Sequence, residues 1–163
     1  MLIRKSALTD LKDIMKIYHH AQKYMASNGN AEQWGTEYPW EELILQDISL
    51  GYSYICEDKE RVVGTFYYGP GPEEDYKELK EGQWLEESKP YDVVHRIAAD
   101  GSVKGIGTFC FQWIKNHSTN VRIDTHANNE TMLSLLKKMG FTRTGKIDFP
   151  YGGERITFQW VKS

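Results

Sequence analysis

Cysteine is scarce in this chain. Cys56 and Cys110 are the only two, each falls within an apolar run, and no Cys-x-x-Cys pair exists. A disulfide framework and a thiolate metal site therefore lack their parts, and a reducing cytoplasm is the expected setting. Runs of lysine and arginine are missing as well, and the formal charge is −3. The electrostatic footprint of a protein that binds nucleic acid or a membrane surface is thus absent. No apolar stretch approaches the roughly 20 residues that span a bilayer. The basic start Met1-Leu2-Ile3-Arg4-Lys5 leads into no apolar signal core, and no internal repeat or low-complexity tract is visible. Three catalytic signatures are absent too: Gly-x-Ser-x-Gly, His-Glu-x-x-His and Gly-Lys-Ser/Thr. Serine hydrolase, zinc peptidase and P-loop readings fail without them, and no metal is expected.

What remains is a chain of 163 residues with 40% hydrophobic and 13% aromatic content, enough for one well-packed soluble domain over 1–163 and too little for two. A short strand is expected at Leu2 to Lys5, then a helix capped by Thr9 and Asp10. Its apolar face carries Leu11, Ile14, Met15, Tyr18, Ala21 and Met25, and it ends near Ala26. His19-His20 on that helix is expected in solvent. Ser27-Asn28-Gly29-Asn30 breaks the helix and leads to Trp34, Tyr38, Pro39 and Trp40. These aromatics either cap the core or, in the case of Trp34 and Tyr38, line one wall of a substrate pocket. A second helix follows from Glu41 to Ser49.

Tyr52 to Glu57 and Arg61 to Tyr68 read as an antiparallel hairpin turned by Asp58-Lys59-Glu60. After Gly69-Pro70-Gly71-Pro72, residues 73 to 89 carry seven acidic side chains against three lysines. This segment reads as solvated surface, or else as a field that attracts a cationic amine. Tyr91 to Ala99 reads as a buried strand. Ile106, Phe109, Cys110, Trp113 and Ile114 then recur at helical spacing. Asn120 to Asp124 forms a further strand, and Asn128-Asn129-Glu130 opens a helix stopped by Gly140. The order strand, helix, strand implies a right-handed crossover with strands 91 to 99 and 120 to 125 parallel. Phe141 to Phe149 and Glu154 to Lys162 form a last hairpin around Tyr151-Gly152-Gly153.

The stretch Ser102-Val103-Lys104-Gly105-Ile106-Gly107-Thr108 joins the central strand to its helix through two glycines. The first amides of a helix have no internal partner and sit at its positive end, so a phosphate there gains hydrogen bonds and favourable charge together. Glycine lets the anion reach the backbone; the plainer alternative is a turn that uses glycine only for geometry. A dinucleotide fingerprint would need a third glycine where Cys110 stands. Asp124 could serve as its ribose-binding acid, but too little chain remains for that fold.

The order of elements and two motifs together resemble the GNAT-type N-acetyltransferase family. Its cofactor motif, Arg/Gln-x-x-Gly-x-Gly/Ala, reads here Ser102-Val103-Lys104-Gly105-Ile106-Gly107. Its Asn-to-Gly-Phe helix reads Asn129 to Gly140-Phe141. The resemblance covers nearly the whole chain and is vaguest from Ser27 to Pro39. It implies an α/β fold with a mixed, mostly antiparallel central sheet, one parallel splayed strand pair and flanking helices. It also implies acetyl-CoA as co-substrate, with a homodimer a common assembly among such proteins. Carried over residue by residue, the amides of Val103, Lys104, Gly105, Ile106, Gly107 and Thr108 would hold the pyrophosphate. Ile97 and Ala99 would pair with the pantetheine arm, Asn129 would contact it, and the backbone of Ala98 would serve as oxyanion donor.

Two positions depart from the family pattern. Ser102 stands where an arginine or glutamine is usual, which leaves Lys104 as the only nearby charge. Leu136 stands where many members place the tyrosine that protonates the departing thiolate. Three residues are weighed as acid or base: His95 in the central strand, His126 after Asp124 and Thr125, and Tyr151 at the hairpin tip. A neutral imidazole of pKa about 6.5 can take a proton from an amine, while structural hydrogen bonding explains either histidine equally. The function expected is transfer of acetyl from acetyl-CoA to a primary amine of a small molecule or peptide by direct attack in a ternary complex. The alternative is a catalytically weak or inactive acetyl-CoA-binding module.

Overall fold

Alternating apolar and polar residues make the strands, and the glycine and proline clusters between them make the turns. The computed structural model describes residues 1–34, 37–149 and 153–163, with Glu32 given by its backbone alone. Eight strands form one sheet: β1 (Leu2–Lys5), β2 (Ser53–Asp58), β3 (Arg61–Pro70), β4 (Glu81–Gly82), β5 (Asp92–Ala99), β6 (Asn120–Thr125), β7 (Thr142–Phe149) and β8 (Gly153–Val161). Their order is β1-β2-β3-β5-β6-β8-β7-β4, and every pairing is antiparallel except β5 with β6.

Among the described residues, five α-helices flank the sheet: α1 (Leu11–Ser27), α2 (Ala31–Trp34), α3 (Glu41–Leu50), α4 (Ile106–His117) and α5 (Glu130–Lys138). Ile106, Cys110, Phe111 and Ile114 of α4 and Leu136 of α5 pack with Val94, Val121, Ile123 and Phe158 in one cluster. A second cluster joins Ile14, Ile17, Tyr18 and Ala21 of α1 with Ile44 of α3, Ile55 and Ala98. Both cysteines are buried and free, and His19 and His20 are exposed.

Three expectations change on contact with tertiary structure. Asp10 occupies the N-cap of α1, but its carboxylate turns away from the helix. It accepts from the Ala7 amide at 2.7 Å and from Arg4 Nη1 and Nη2 at 2.8 and 3.0 Å. The hydrogen bonds from Arg4, then that from Ala7, hold its carboxyl below the usual range. A group with a lowered folded pKa adds stability above its ordinary value and loses it as pH falls through the folded one. Asp10→Ala is therefore expected to cost about 1–3 kcal/mol at neutral pH, with the gap from wild type closing in acid, as urea denaturation at several pH values would show.

The acidic segment is not simply solvated surface. Tyr76 and Trp84 are buried in it, pack with Val93 and Ile147, and are linked by Trp84 Nε1 donating to the Tyr76 carbonyl at 2.9 Å. Arg122 lies over the rings of Trp84 and Tyr91 at 4.1 and 3.9 Å. The Gln159 carboxamide holds the segment further, accepting from Leu85 N at 2.7 Å and donating to the Glu86 carbonyl at 3.1 Å. Lastly, the parallel pair is short. Only Asp92↔Val121 and Val93↔Arg122 are in register before β5 and β6 diverge.

Candidate functional site

The divergence has a local cause. Tyr67 faces His95 across the β3–β5 ladder, but Thr65 faces Ala98, so Arg96 and Ile97 together oppose one residue. This is a bulge. Arg96 takes φ 54°, a left-handed conformation that a side chain other than glycine adopts only when surroundings enforce it. Tyr18 enforces it by donating to the Arg96 carbonyl at 3.0 Å, and the Arg96 guanidinium is tied to Asp47 and to the Tyr38 hydroxyl. Burial pushes the Asp47 carboxyl up, against the pull of Arg96.

Beyond the bulge the ladder alternates, and Asp100 N donates to Val63 O at 3.0 Å. Two residues back, the peptide groups of Ala98 turn to Thr65 in the same way. The Ile97 carbonyl, on the same peptide as the Ala98 amide, and both groups of Ala99 turn the other way, to the opening between β5 and β6. On this register the Ala98 amide, expected as oxyanion donor, belongs to the sheet.

A cavity of about 410 Å³ occupies the opening. Trp34, Tyr38 and Trp40 wall one side, with Trp34 and Tyr38 edge to face at 6.1 Å. Val94, His95, Arg96 and Ile97 line it from β5; Ile123, Asp124 and Thr125 from β6; Asn129 and Met132 from α5 and its cap; Phe149 and Arg155 from the last hairpin. A larger depression of about 930 Å³ lies against α1, lined by Lys12, Lys16, His19 and Glu41 among others. The smaller cavity, enclosed between the diverging β5 and β6 and beside the glycine turn, is the candidate site.

His95 Nε2 stands 3.5 Å from Glu73 Oε2, and the hydrogen bond from His95 is the main cause holding the Glu73 carboxyl below its usual range. Asp124 Oδ2 accepts from the buried Tyr76 hydroxyl at 2.5 Å, while Arg155 Nε lies 3.9 Å from Oδ1. Burial pushes the Asp124 carboxyl up all the same. Thr125 is 1% exposed, and its Oγ1 has no hydrogen-bond partner among the described residues. Asn129 Oδ1 caps α5 by accepting from Met132 N at 3.1 Å, and its Nδ2 donates to Gln33 at 3.2 Å. His126 falls outside the cavity lining, where its Nδ1 accepts from Asn128 N at 3.1 Å. Tyr151 lies outside the described residues. Leu136 is fully buried in the core.

At one end of the opening lies the glycine turn. Gly105 is the N-cap of α4 at φ 83°, and a Cβ placed on it would meet nothing within 4 Å. Gly107 packs closely against α5, where a Cβ would meet the tip of the Leu135 side chain, Cδ2, at 2.7 Å. Lys104 is not the only cation here, contrary to expectation. Arg61 Nη2 donates to Ser102 Oγ at 2.9 Å, and Lys138 Nζ reaches Thr108 Oγ1 at 3.4 Å. Neither had a local sequence signal, because only the fold brings these distant residues to the turn.

No protein-family model and no curated relative matches the sequence. Solved structures do. An acetyltransferase of the GNAT family from Streptococcus agalactiae is 29% identical over 99% of this chain and 95% of its own, with a TM-score of 0.91. The chain is similar to GNAT-family acetyltransferases and shares their fold. More distant structures share the GNAT fold. The ribosomal-protein-alanine N-acetyltransferase of Brucella melitensis is 18% identical over 99% of each chain, with a TM-score of 0.67. The yncA protein of Salmonella typhimurium, solved with its cofactor acetyl-CoA, is 17% identical over 99% of this chain and 94% of its own, with a TM-score of 0.62. These GNAT neighbours support acetyl transfer in general. Among the described residues, no helix is long and apolar enough to cross a membrane, and no group of three or more His, Cys, Asp or Glu could hold a metal ion.

Proposed function

We propose that this protein transfers acetyl from acetyl-CoA to a primary amine of a small molecule or peptide, by direct attack while both are bound. The observation that carries this reading is the continuous path from an open glycine turn, along two unpaired strand edges, into a cavity that holds a histidine backed by a carboxylate. Unpaired backbone groups at a strand edge suit an amide-bearing arm, which would pair with them as a third strand. The residues present fit acetyl-CoA: the amides of Val103 to Thr108 for its pyrophosphate, and Ile97, Ala99 and Asn129 for its arm. Bound there, acetyl-CoA supplies the activated acetyl group.

His95 takes the proton of the incoming amine, and Glu73 stabilises the imidazolium that results. The Ile97 amide takes the oxyanion role once assigned to Ala98. Trp34 and Tyr38 bound the acceptor, and Asp124 gives the cavity an anionic wall. Titration calorimetry with acetyl-CoA and CoA, followed by thiol release against a panel of amines, tests the reading. Failure of the wild type to bind either nucleotide rejects it.

The cation missing at Ser102 is replaced in space by Arg61. Arg61→Ala is expected to weaken CoA binding about tenfold at low salt, the scale of one exposed charge-assisted contact to phosphate. The difference should narrow as ionic strength rises. Equal affinities at low salt would remove Arg61 from the site. A binding module without catalysis is favoured by one observation, the burial of Leu136 at the usual acid position. Binding without thiol release from any amine would support it.

A further inference from the structure

We propose that the Thr125 hydroxyl donates a hydrogen bond to the sulfur of the acetyl donor as that sulfur departs, supplying what Leu136 cannot. This rests on the acetyltransferase reading. Three observations carry it. Thr125 Oγ1 is buried and has no hydrogen-bond partner among the described residues. A valine of the same shape would avoid that cost, so an orphaned hydroxyl on a residue that lines a cavity points to a ligand atom that completes it. The residue also lines the cavity from the end of β6, where β5 has already diverged.

The third observation is the face it occupies. Strand alternation puts Thr125 on the same side of the sheet as Ile123, and Ile123 packs in the cluster that contains Leu136. Thr125 therefore borders the opening on the side that α5 covers. Among the described residues, the Tyr18 and Tyr76 hydroxyls already donate to the Arg96 carbonyl and to Asp124, while the Tyr38 hydroxyl accepts from Arg96.

The chemistry of sulfur makes such a donor selective. Thioester sulfur is a poor acceptor, whereas a departing thiolate is a strong one, so the hydrogen bond strengthens as the reaction proceeds. In the step itself the amine nitrogen bonds to the acetyl carbon, and the carbon–sulfur bond breaks with its electron pair going to sulfur. The amine proton passes to His95. Thr125 shares its proton with the thiolate without giving it up, and the thiolate is protonated from solvent.

The test is the titration of the thiol of bound CoA, read from the NMR shift of a labelled carbon beside the sulfur, in wild type, Thr125→Val and Thr125→Ser. Free thiols titrate near 8.5; the bound thiol is expected about one unit lower in wild type and Thr125→Ser, and back near the free value in Thr125→Val. Turnover in Thr125→Val should fall roughly 10- to 100-fold with KM for acetyl-CoA unchanged, while its Tm without ligand should equal or exceed that of wild type. Should the valine variant not fold, Thr125→Ala serves in its place. A bound thiol that titrates identically with and without the hydroxyl overturns the role of Thr125. If wild type binds no CoA, the acetyltransferase reading itself falls.

Discussion

Asp47→Ala is expected to cost about 3–5 kcal/mol of folding stability, the scale for stripping one partner from a buried ion pair. Arg96 would be left charged in a site where its side chain is 8% exposed and its Nε already lacks a partner among the described residues. The same guanidinium helps to hold the bulge, so the variant should also lose CoA affinity as β5 relaxes. Asp47→Asn retains an acceptor and should lose less. Urea denaturation of both variants checks this; a loss under about 1 kcal/mol for the alanine would mean that Arg96 finds solvent or a new partner at little cost.

His95→Ala is expected to reduce turnover by about 10²–10⁴, the usual contribution of a positioned base. CoA binding should stay close to wild type, because the glycine turn and the strand edges are untouched. Glu73→Gln keeps the histidine and loses only the carboxylate that stabilises its charged form, so a smaller loss, about tenfold, is expected. His126→Ala serves as the contrast, with turnover unchanged because that ring lies outside the cavity lining. Steady-state kinetics across pH, paired with calorimetry, separate these outcomes. Full activity in His95→Ala would remove it as base and turn attention to Asp124.

Much of this site can be read from the sequence because its parts are local. A glycine turn at a helix start, a helix ending in Gly140-Phe141 and an apolar central strand are patterns within short windows, set by backbone sterics and the helical period. Trp34 and Tyr38 stand out for the same reason, as large aromatics in an irregular segment. Arg61, Asp47, Glu73 and Tyr76 give no such signal. Arg61 reads as a hairpin residue, Asp47 as a polar position on a helix, and Glu73 and Tyr76 as parts of a charged loop. Each gains its meaning from a partner far along the chain. The two-residue strand β4 is equally invisible, being too short to show alternation.

By itself the sequence determined the long helices and strands, where the glycine turn lies and that the central pair is parallel, since these follow from side-chain period, glycine placement and crossover handedness. Tertiary structure alone decided that β5 bulges at Arg96, that the amide of Ala98 is taken while that of Ala99 is open, and that the acidic segment folds over the sheet on Tyr76 and Trp84. The physical reason is common to all three. A bulge, an open amide and a buried loop depend on which distant groups satisfy each other's hydrogen bonds and charges, and that pairing exists only once the chain has closed upon itself.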